Sequence, residues 1–153
     1  MQENLPIIMT ALGIALSIVL SGIGSARGAA MIGKAAAALI SEQPEKFGQS
    51  LVLQMMSASQ GLYGFIVSFL IFMNSFMNAG IVITFESALR YLSAGLIMGV
   101  AGYMTAIPQS VAATAGIQIL AKKPEHSTKG VLYSAMIETY AIFAFVVSVL
   151  FVL

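Results

Sequence analysis

Four stretches of this chain are each long enough to cross a bilayer and nearly free of charge. They are Leu5–Ala26, Leu51–Phe85, Tyr91–Ala121 and Val131–Leu153, the last interrupted only by Glu138. A hydrocarbon core of about 30 Å takes about 20 apolar helical residues to cross. In lipid every backbone N–H and C=O needs a partner within the protein, which leaves helices or a closed barrel. Barrel strands are short and alternate polar with apolar residues. These runs are long and do not alternate, so the chain is expected to be an all-α integral membrane protein with four transmembrane helices. Composition agrees: 59% of residues are hydrophobic and 8% charged, against about 25% charged in a soluble domain. An ordinary soluble globule and a disordered chain are both excluded. A net charge of +1 offers no basic stripe for phosphates, so no nucleic-acid partner is expected. The absence of cysteine removes disulfides, thiolate metal sites and a cysteine nucleophile.

The few charges mark the topology. Arg27, Lys34 and Lys46 surround the connector Ser41–Glu45, and Lys122, Lys123 and Lys129 belong to a second connector through Pro124, Glu125 and His126. Arg90 lies with Glu86 toward the opposite side. Basic residues concentrate in cytoplasmic loops, so both connectors are expected in the cytoplasm. Both termini and the middle loop, around Asn74 to Glu86, are then extracytoplasmic, in a multi-pass protein of the cell membrane. The run from about Pro6 to Ile40 has no breaker other than glycine. As one helix it would reach about 50 Å, so its end is expected to project into water. The first six residues include Glu3 and no base, unlike a secretory leader, and the first span is expected to be retained. His126 reads as a surface residue and Arg27 and Lys34 as snorkelling or as contacts to lipid or a stalk. The ten methionines read as core filler.

A shift of 80 residues aligns the two halves without a gap. Gly22 falls on Gly102, Ala26 on Ala106, Pro44 on Pro124, Glu45 on Glu125, Phe65 on Phe145, Ser68 on Ser148 and Leu70 on Leu150. The expected organisation is one membrane domain, 1–153, of two tandem hairpins at about 5–77 and 85–153. The repeat is parallel rather than inverted, which argues against a transporter built on inverted repeats. The copies differ at one position of consequence: Glu138 falls on Ala58. The first helices of both hairpins are rich in small residues, with Gly24, Gly28 and Gly33 in one and Gly95, Gly99 and Gly102 in the other. Such faces let helices approach closely in lipid. They suit packing within one chain and equally the inner layer of a closed ring of subunits.

Glu138 sits eight residues after Gly130 and fifteen before the end, near the bilayer middle. Carboxylates there are costly and usually serve ions, protons or substrates. Met56, Ser59, Gln60 and Tyr63 follow the i, i+3, i+4, i+7 spacing of one helix face. Ser59 and Gln60 offer side-chain oxygens, and the Tyr63 hydroxyl can donate to a carboxylate. Gln109 follows Pro108, whose missing N–H leaves the Met104 carbonyl without its helical donor. A carboxylate with neutral oxygens is a hard-cation site, and one negative charge suits a monovalent ion better than calcium. A proton needs only the carboxyl, so the additional oxygens favour Na⁺ over H⁺. No catalytic residues and no cofactor are expected, because Walker, zinc and nucleophile motifs are absent.

The motifs SGIGSARG (Ser21–Gly28), QPEKFGQSL (Gln43–Leu51), SQGLYGF (Ser59–Phe65), AGIQILAKKPEH (Ala115–His126) and MIETYAI (Met136–Ile142) resemble the rotor-ring proteolipid, or K subunit, of V-type ATPases, especially the sodium-translocating bacterial form. The resemblance covers nearly the whole chain. It implies a homo-oligomeric ring of four-helix subunits turned by a central stalk that meets the cytoplasmic loops, coupled to ATP hydrolysis or synthesis in a soluble head. It also implies that the ion ligands are Glu138, Gln109, Gln60, Ser59 and the backbone oxygen of Met56, with Tyr63 hydrogen-bonded to the glutamate. A stator membrane subunit would supply a basic group to discharge Glu138. One Na⁺ per subunit is expected, since Ala58 cannot hold a second. Two departures stand out: Ser59 where the sodium-type pattern has Thr, and Ser57–Ala58 where it has Pro-Gly. The second leaves open how freely the Met56 carbonyl turns toward an ion.

Three other readings compete. One is an H⁺-translocating ring of the same kind. Another is a small four-helix cation or multidrug exporter, which the repeat and the amide and hydroxyl groups near Glu138 disfavour. The third is a structural pore, which has no need of a mid-membrane carboxylate.

Overall fold

A computed structural model describes residues 4–77 and 82–153, and its helices follow the uncharged runs. Helix α1 (Leu5–Glu42) and helix α4 (Phe85–Lys122) have 38 residues each, about 57 Å at the helical rise, so both outreach the bilayer core. Helix α1 starts with Pro6 in its first turn, where a missing N–H costs nothing. Helix α4 starts on an N-cap: the Ser87 N–H donates to the Thr84 hydroxyl at 3.2 Å, and Glu86 and Lys122 lie at the ends that favour their charges. Each long helix ends with a single residue between it and a proline. Two three-residue 3-10 turns follow, Pro44–Lys46 and Pro124–His126, so even the connectors repeat at the 80-residue offset. The second hairpin ends with helix α5 (Ser127–Val152).

The first hairpin returns differently. Its second span is not one helix but two, α2 (Phe47–Met55) and α3 (Ser59–Phe72), separated by a turn at Met56–Ala58. The unbroken run of apolar residues predicts a continuous helix; the break lies among the residues singled out as ion ligands. A π-helical turn at Met73–Met77 ends this span. The middle loop expected at Asn74–Glu86 lies partly outside the described residues.

Packing is set by the small residues, and they work inside the chain. A Cβ on Gly13 would sit 2.5 Å from the Tyr91 carbonyl oxygen, and one on Gly24 would sit 2.7 Å from Tyr103 Cα. A side chain on Gly95 would run into the backbone of Gly13, and one on Gly102 would come within 2.7 Å of Ser21 Cβ. The glycine faces, equally compatible with a ring seam, are therefore what lets α1 lie directly on α4. Two apolar clusters bracket the bundle. Ile32, Leu39, Leu53, Ile117 and Leu120 form one near the connectors, and Val67, Ile71, Met98 and Val152 form the other. The methionines are not generally core filler. Met98 is fully buried, but Met55, Met104 and Met136 are among the most exposed large side chains. They join Leu132, Tyr133 and Phe143 on a broad apolar exterior, the surface that four membrane-spanning helices present to lipid or to neighbours.

Lys46, one of the bases that mark the first connector, has a role the sequence does not suggest: it is only 9% exposed. Its ammonium donates to the Leu120 and Ala121 carbonyls at 2.9 and 3.0 Å, capping α4, whose last carbonyls have no helical donor. Lys46→Met keeps the stem and removes the donors. Hydrogen bonds to a charged group contribute about 1.5–3 kcal/mol, so the thermal midpoint of the purified protein in detergent should fall by several degrees. An unchanged midpoint would show that the cap contributes nothing.

Candidate functional site

The polar residues of three helices converge between the two apolar clusters. Tyr63 on α3 donates its hydroxyl proton to Glu138 Oε1 on α5 at 2.8 Å. Gln109 on α4 donates from Nε2 to the Met56 carbonyl at 2.8 Å and lies 3.4 Å from Glu138 Oε2. Gln60 Nε2 donates to Gln109 Oε1. The Ser59 hydroxyl lies 3.2 Å from the Met56 carbonyl and 3.3 Å from Gln60 Oε1. All six residues expected from the sequence are thus brought into one hydrogen-bonded cluster, and the break at Met56–Ala58 does not disperse their common face.

Burial grades across the cluster. Gln60 and Gln109 are fully buried, whereas Glu138, Tyr63, Ser59 and Met56 are half-buried. The carboxylate therefore stands at the edge of α3–α5, partly open to whatever covers that face, while the amides form its interior wall. Two further contacts brace the cluster. The Tyr63 ring packs on Phe145, centroids 5.1 Å apart, and the Ser134 hydroxyl, one turn before Glu138, donates to the Gln109 carbonyl at 3.2 Å. Helix α4 runs continuously through Pro108.

The turn at Met56–Ala58 makes a backbone carbonyl available. Its N–H groups use i→i−3 bonds: Met56 N to Leu53 O at 3.3 Å and Ala58 N to Met55 O at 2.9 Å. The Met56 carbonyl instead accepts from the side chains of Ser59 and Gln109. The substitution of Ser57–Ala58 for Pro-Gly does not keep this carbonyl in the helical ladder. The sequence singled out Ser59 as a ligand and Ser57 only as part of a departure from the Pro-Gly pattern; Ser57 is fully buried and meets Ser25 of α1 and Ser110 of α4. A lone serine in a membrane helix gives little signal, because such residues are common there.

Chemically, the cluster offers one carboxylate, two amide oxygens, a hydroxyl and a backbone carbonyl. Of the six residues in the cluster, Glu138 alone carries a formal charge. In the structure the Gln109 NH₂ group stands where it can donate to the two acceptors Met56 O and Glu138 Oε2. The same acceptors suit a small cation, and a terminal amide can exchange its nitrogen for its oxygen by rotation about its last torsion.

Two segments, residues 12–71 and 92–151, match the family of the ATP synthase C subunit. They are offset by the same 80 residues as the internal repeat. The chain is 50% identical over 151 residues to the V-type sodium ATPase subunit K of Enterococcus hirae, covering 99% of this chain and 94% of that one. It is 35% identical over 145 residues to the A-type ATP synthase subunit K of Methanocaldococcus jannaschii, covering 95% of this chain and 62% of that one.

Proposed function

This chain belongs to the ATP synthase C-subunit family, and from that premise we propose that it is a rotor-ring subunit of a V/A-type ATPase that carries one Na⁺ per subunit at Glu138. It is a non-catalytic component of such a complex. The observation that carries the Na⁺ reading is the composition of the cluster: a half-buried mid-membrane carboxylate held by Tyr63 and Gln109, with the Met56 carbonyl, Ser59 and Gln60 beside it. The identity to a sodium ATPase subunit supports the same ion.

The ligands are Glu138, Gln109, Gln60, Ser59 and the Met56 carbonyl. Tyr63 fixes the carboxylate rotamer, as groups behind a metal site commonly do. When Na⁺ enters, it takes the place of the Gln109 N–H donors at the Met56 carbonyl and Glu138, and the Gln109 and Gln60 amides turn together, so that the hydrogen bond between them is kept with its direction reversed. The neutral oxygens replace the lost hydration shell while Glu138 neutralises the charge. A bare carboxylate facing lipid is costly, so the ion stays bound while the subunit passes the bilayer. At a stator, a fixed basic group on the partner subunit offers Glu138 another counter-charge and releases the ion to an aqueous half-channel. Copies of the chain, one membrane domain of two hairpins each, close into the ring. The Pro44–Lys46 and Pro124–His126 connectors face the cytoplasm and meet the central stalk, and the termini face outward.

Carbodiimide labelling tests the ion. The reagent attacks the protonated carboxyl, so Na⁺ bound at Glu138 should protect it at constant pH. Millimolar Na⁺ should suppress labelling of Glu138 several-fold while the same K⁺ does not. Labelling that responds to pH alone would assign the site to H⁺.

A further inference from the structure

The Met56 carbonyl is useful to a cation only if the helical ladder is interrupted beside it, and Ser57 has no obvious means to interrupt it. Unlike proline, serine keeps its N–H, and both Ser57 and Ala58 are compatible with a continuous helix. The interruption is instead held from outside. Ser57 and Ser25 bond reciprocally across the α1 interface. The Ser57 hydroxyl donates to the Ser25 carbonyl at 3.1 Å, and the Ser25 hydroxyl donates to the Ser57 carbonyl at 2.5 Å. In a continuous helix the Ser57 carbonyl would accept from Gly61; here it has a partner on another helix. Ser110 Oγ lies 3.0 Å from Ser57 Oγ and 2.6 Å from the Ala106 carbonyl, which joins α4 to the same point one residue beyond Gln109. Ser57 and Ser110 are fully buried and Ser25 is 9% exposed.

Two glycines leave room for this contact. A Cβ on Gly28 would collide with the hydroxyls of both Ser57 and Ser110, and one on Gly61 would lie 3.1 Å from Ser25 Oγ. The three serines thus meet where α1, the α2–α3 break and α4 come together, with the Met56 carbonyl on one side of the break and Ser59 on the other.

We propose that Ser25, Ser57 and Ser110 form a clasp that holds the α2–α3 break open and keeps the Met56 carbonyl turned into the ion site. Ser57 and Ser25 are positioning residues: they do not touch the ion, and they act through the backbone of Met56. The proposal rests on the reading of the Glu138 cluster as a Na⁺ site. It explains why the chain dispenses with a helix-breaking residue at position 57: hydrogen bonds from a neighbouring helix do by tertiary contact what a missing N–H does covalently.

The test uses the intact complex in membranes and measures how much Na⁺ half-protects Glu138 from carbodiimide. Ser57→Ala should raise that concentration about 10-fold, the lower end for loss of a group that orients a ligand. The pH profile of labelling without Na⁺ should stay unchanged, because the carboxyl and its Tyr63 partner are untouched. Ser25→Ala should have a similar effect, and the double variant should be no worse than the weaker single, since both remove one unit. Ser57→Pro should restore the wild-type value, because proline interrupts the ladder without a hydroxyl, and adding Ser25→Ala to it should then change nothing. If Ser57→Ala rings do not assemble, Ser25→Ala, which removes one bond of the pair, carries the same measurement. Unchanged Na⁺ protection in both alanine variants, or no recovery with Ser57→Pro, would overturn the clasp while leaving the Na⁺ site intact. Absence of Na⁺ protection in the wild type would overturn both.

Discussion

Glu138→Gln should abolish Na⁺ transport by the reconstituted complex and eliminate carbodiimide labelling, with the ring still assembled. The substitution is nearly isosteric. A glutamine carbonyl at position 138 can still accept from Tyr63, now 2.8 Å from Glu138 Oε1, so the α3–α5 contact is preserved. What disappears is the formal charge among the otherwise neutral groups of the cluster. Leaving an ion buried without its partner costs about 3–5 kcal/mol, which weakens binding by about 10²-fold or more. The first hairpin cannot compensate, because the equivalent position is Ala58, and that residue is exposed. Transport should be measured as ATP-driven ²²Na⁺ uptake, with ring size checked by gel filtration or denaturation-resistant migration. Wild-type uptake by the variant would remove Glu138 from the mechanism.

Gly95→Leu should prevent the chain from folding. The opposing atoms are the backbone of Gly13, which cannot swing aside as a flexible side chain could. Overpacking a core typically costs about 1–3 kcal/mol, and here α1 and α4 would have to separate along a shared face to admit four carbons. The expected outcome is loss of assembled protein from membranes and aggregation on extraction. Gly22→Ala is the control. A Cβ there meets nothing within 4 Å, so stability should not fall, and should rise by up to about 1 kcal/mol because alanine is the better helix former. A folded Gly95→Leu protein with a wild-type midpoint would mean that the α1–α4 contact is looser than described.

This pair shows where the sequence stops being informative. Gly22 and Gly24 stand two apart in the same glycine-rich window, and nothing in their order says that one faces open space while the other touches Tyr103. Choice of face within a bundle depends on the neighbouring helix, which a periodicity does not name. The candidate site was more legible. Met56, Ser59, Gln60 and Tyr63 share a face by spacing alone, and a lone carboxylate in a run of apolar residues is conspicuous because lipid penalises it. The break at Met56–Ala58 was hidden, since Ser and Ala are unremarkable in helices and the forces that open it come from Ser25 and Ser110, 32 and 53 residues away along the chain. Lys46 was hidden for the same reason: its partners are carbonyls of the other hairpin, 74 and 75 residues distant.

By itself, then, the sequence determined the four spans, the repeat of 80 residues, the two proline-bearing connectors and the isolation of Glu138. These follow from local rules: lipid demands long uncharged helices, proline ends them, and a gapless repeat needs only to be read. Only the tertiary structure decided that the glycine faces join α1 to α4 within one chain, that the second span breaks, and that the Met56 carbonyl leaves the ladder to join the cluster around Glu138. Each of these is a competition between a helix's own hydrogen bonds or packing and those offered by a neighbour, and the winner depends on which atoms the fold brings within reach.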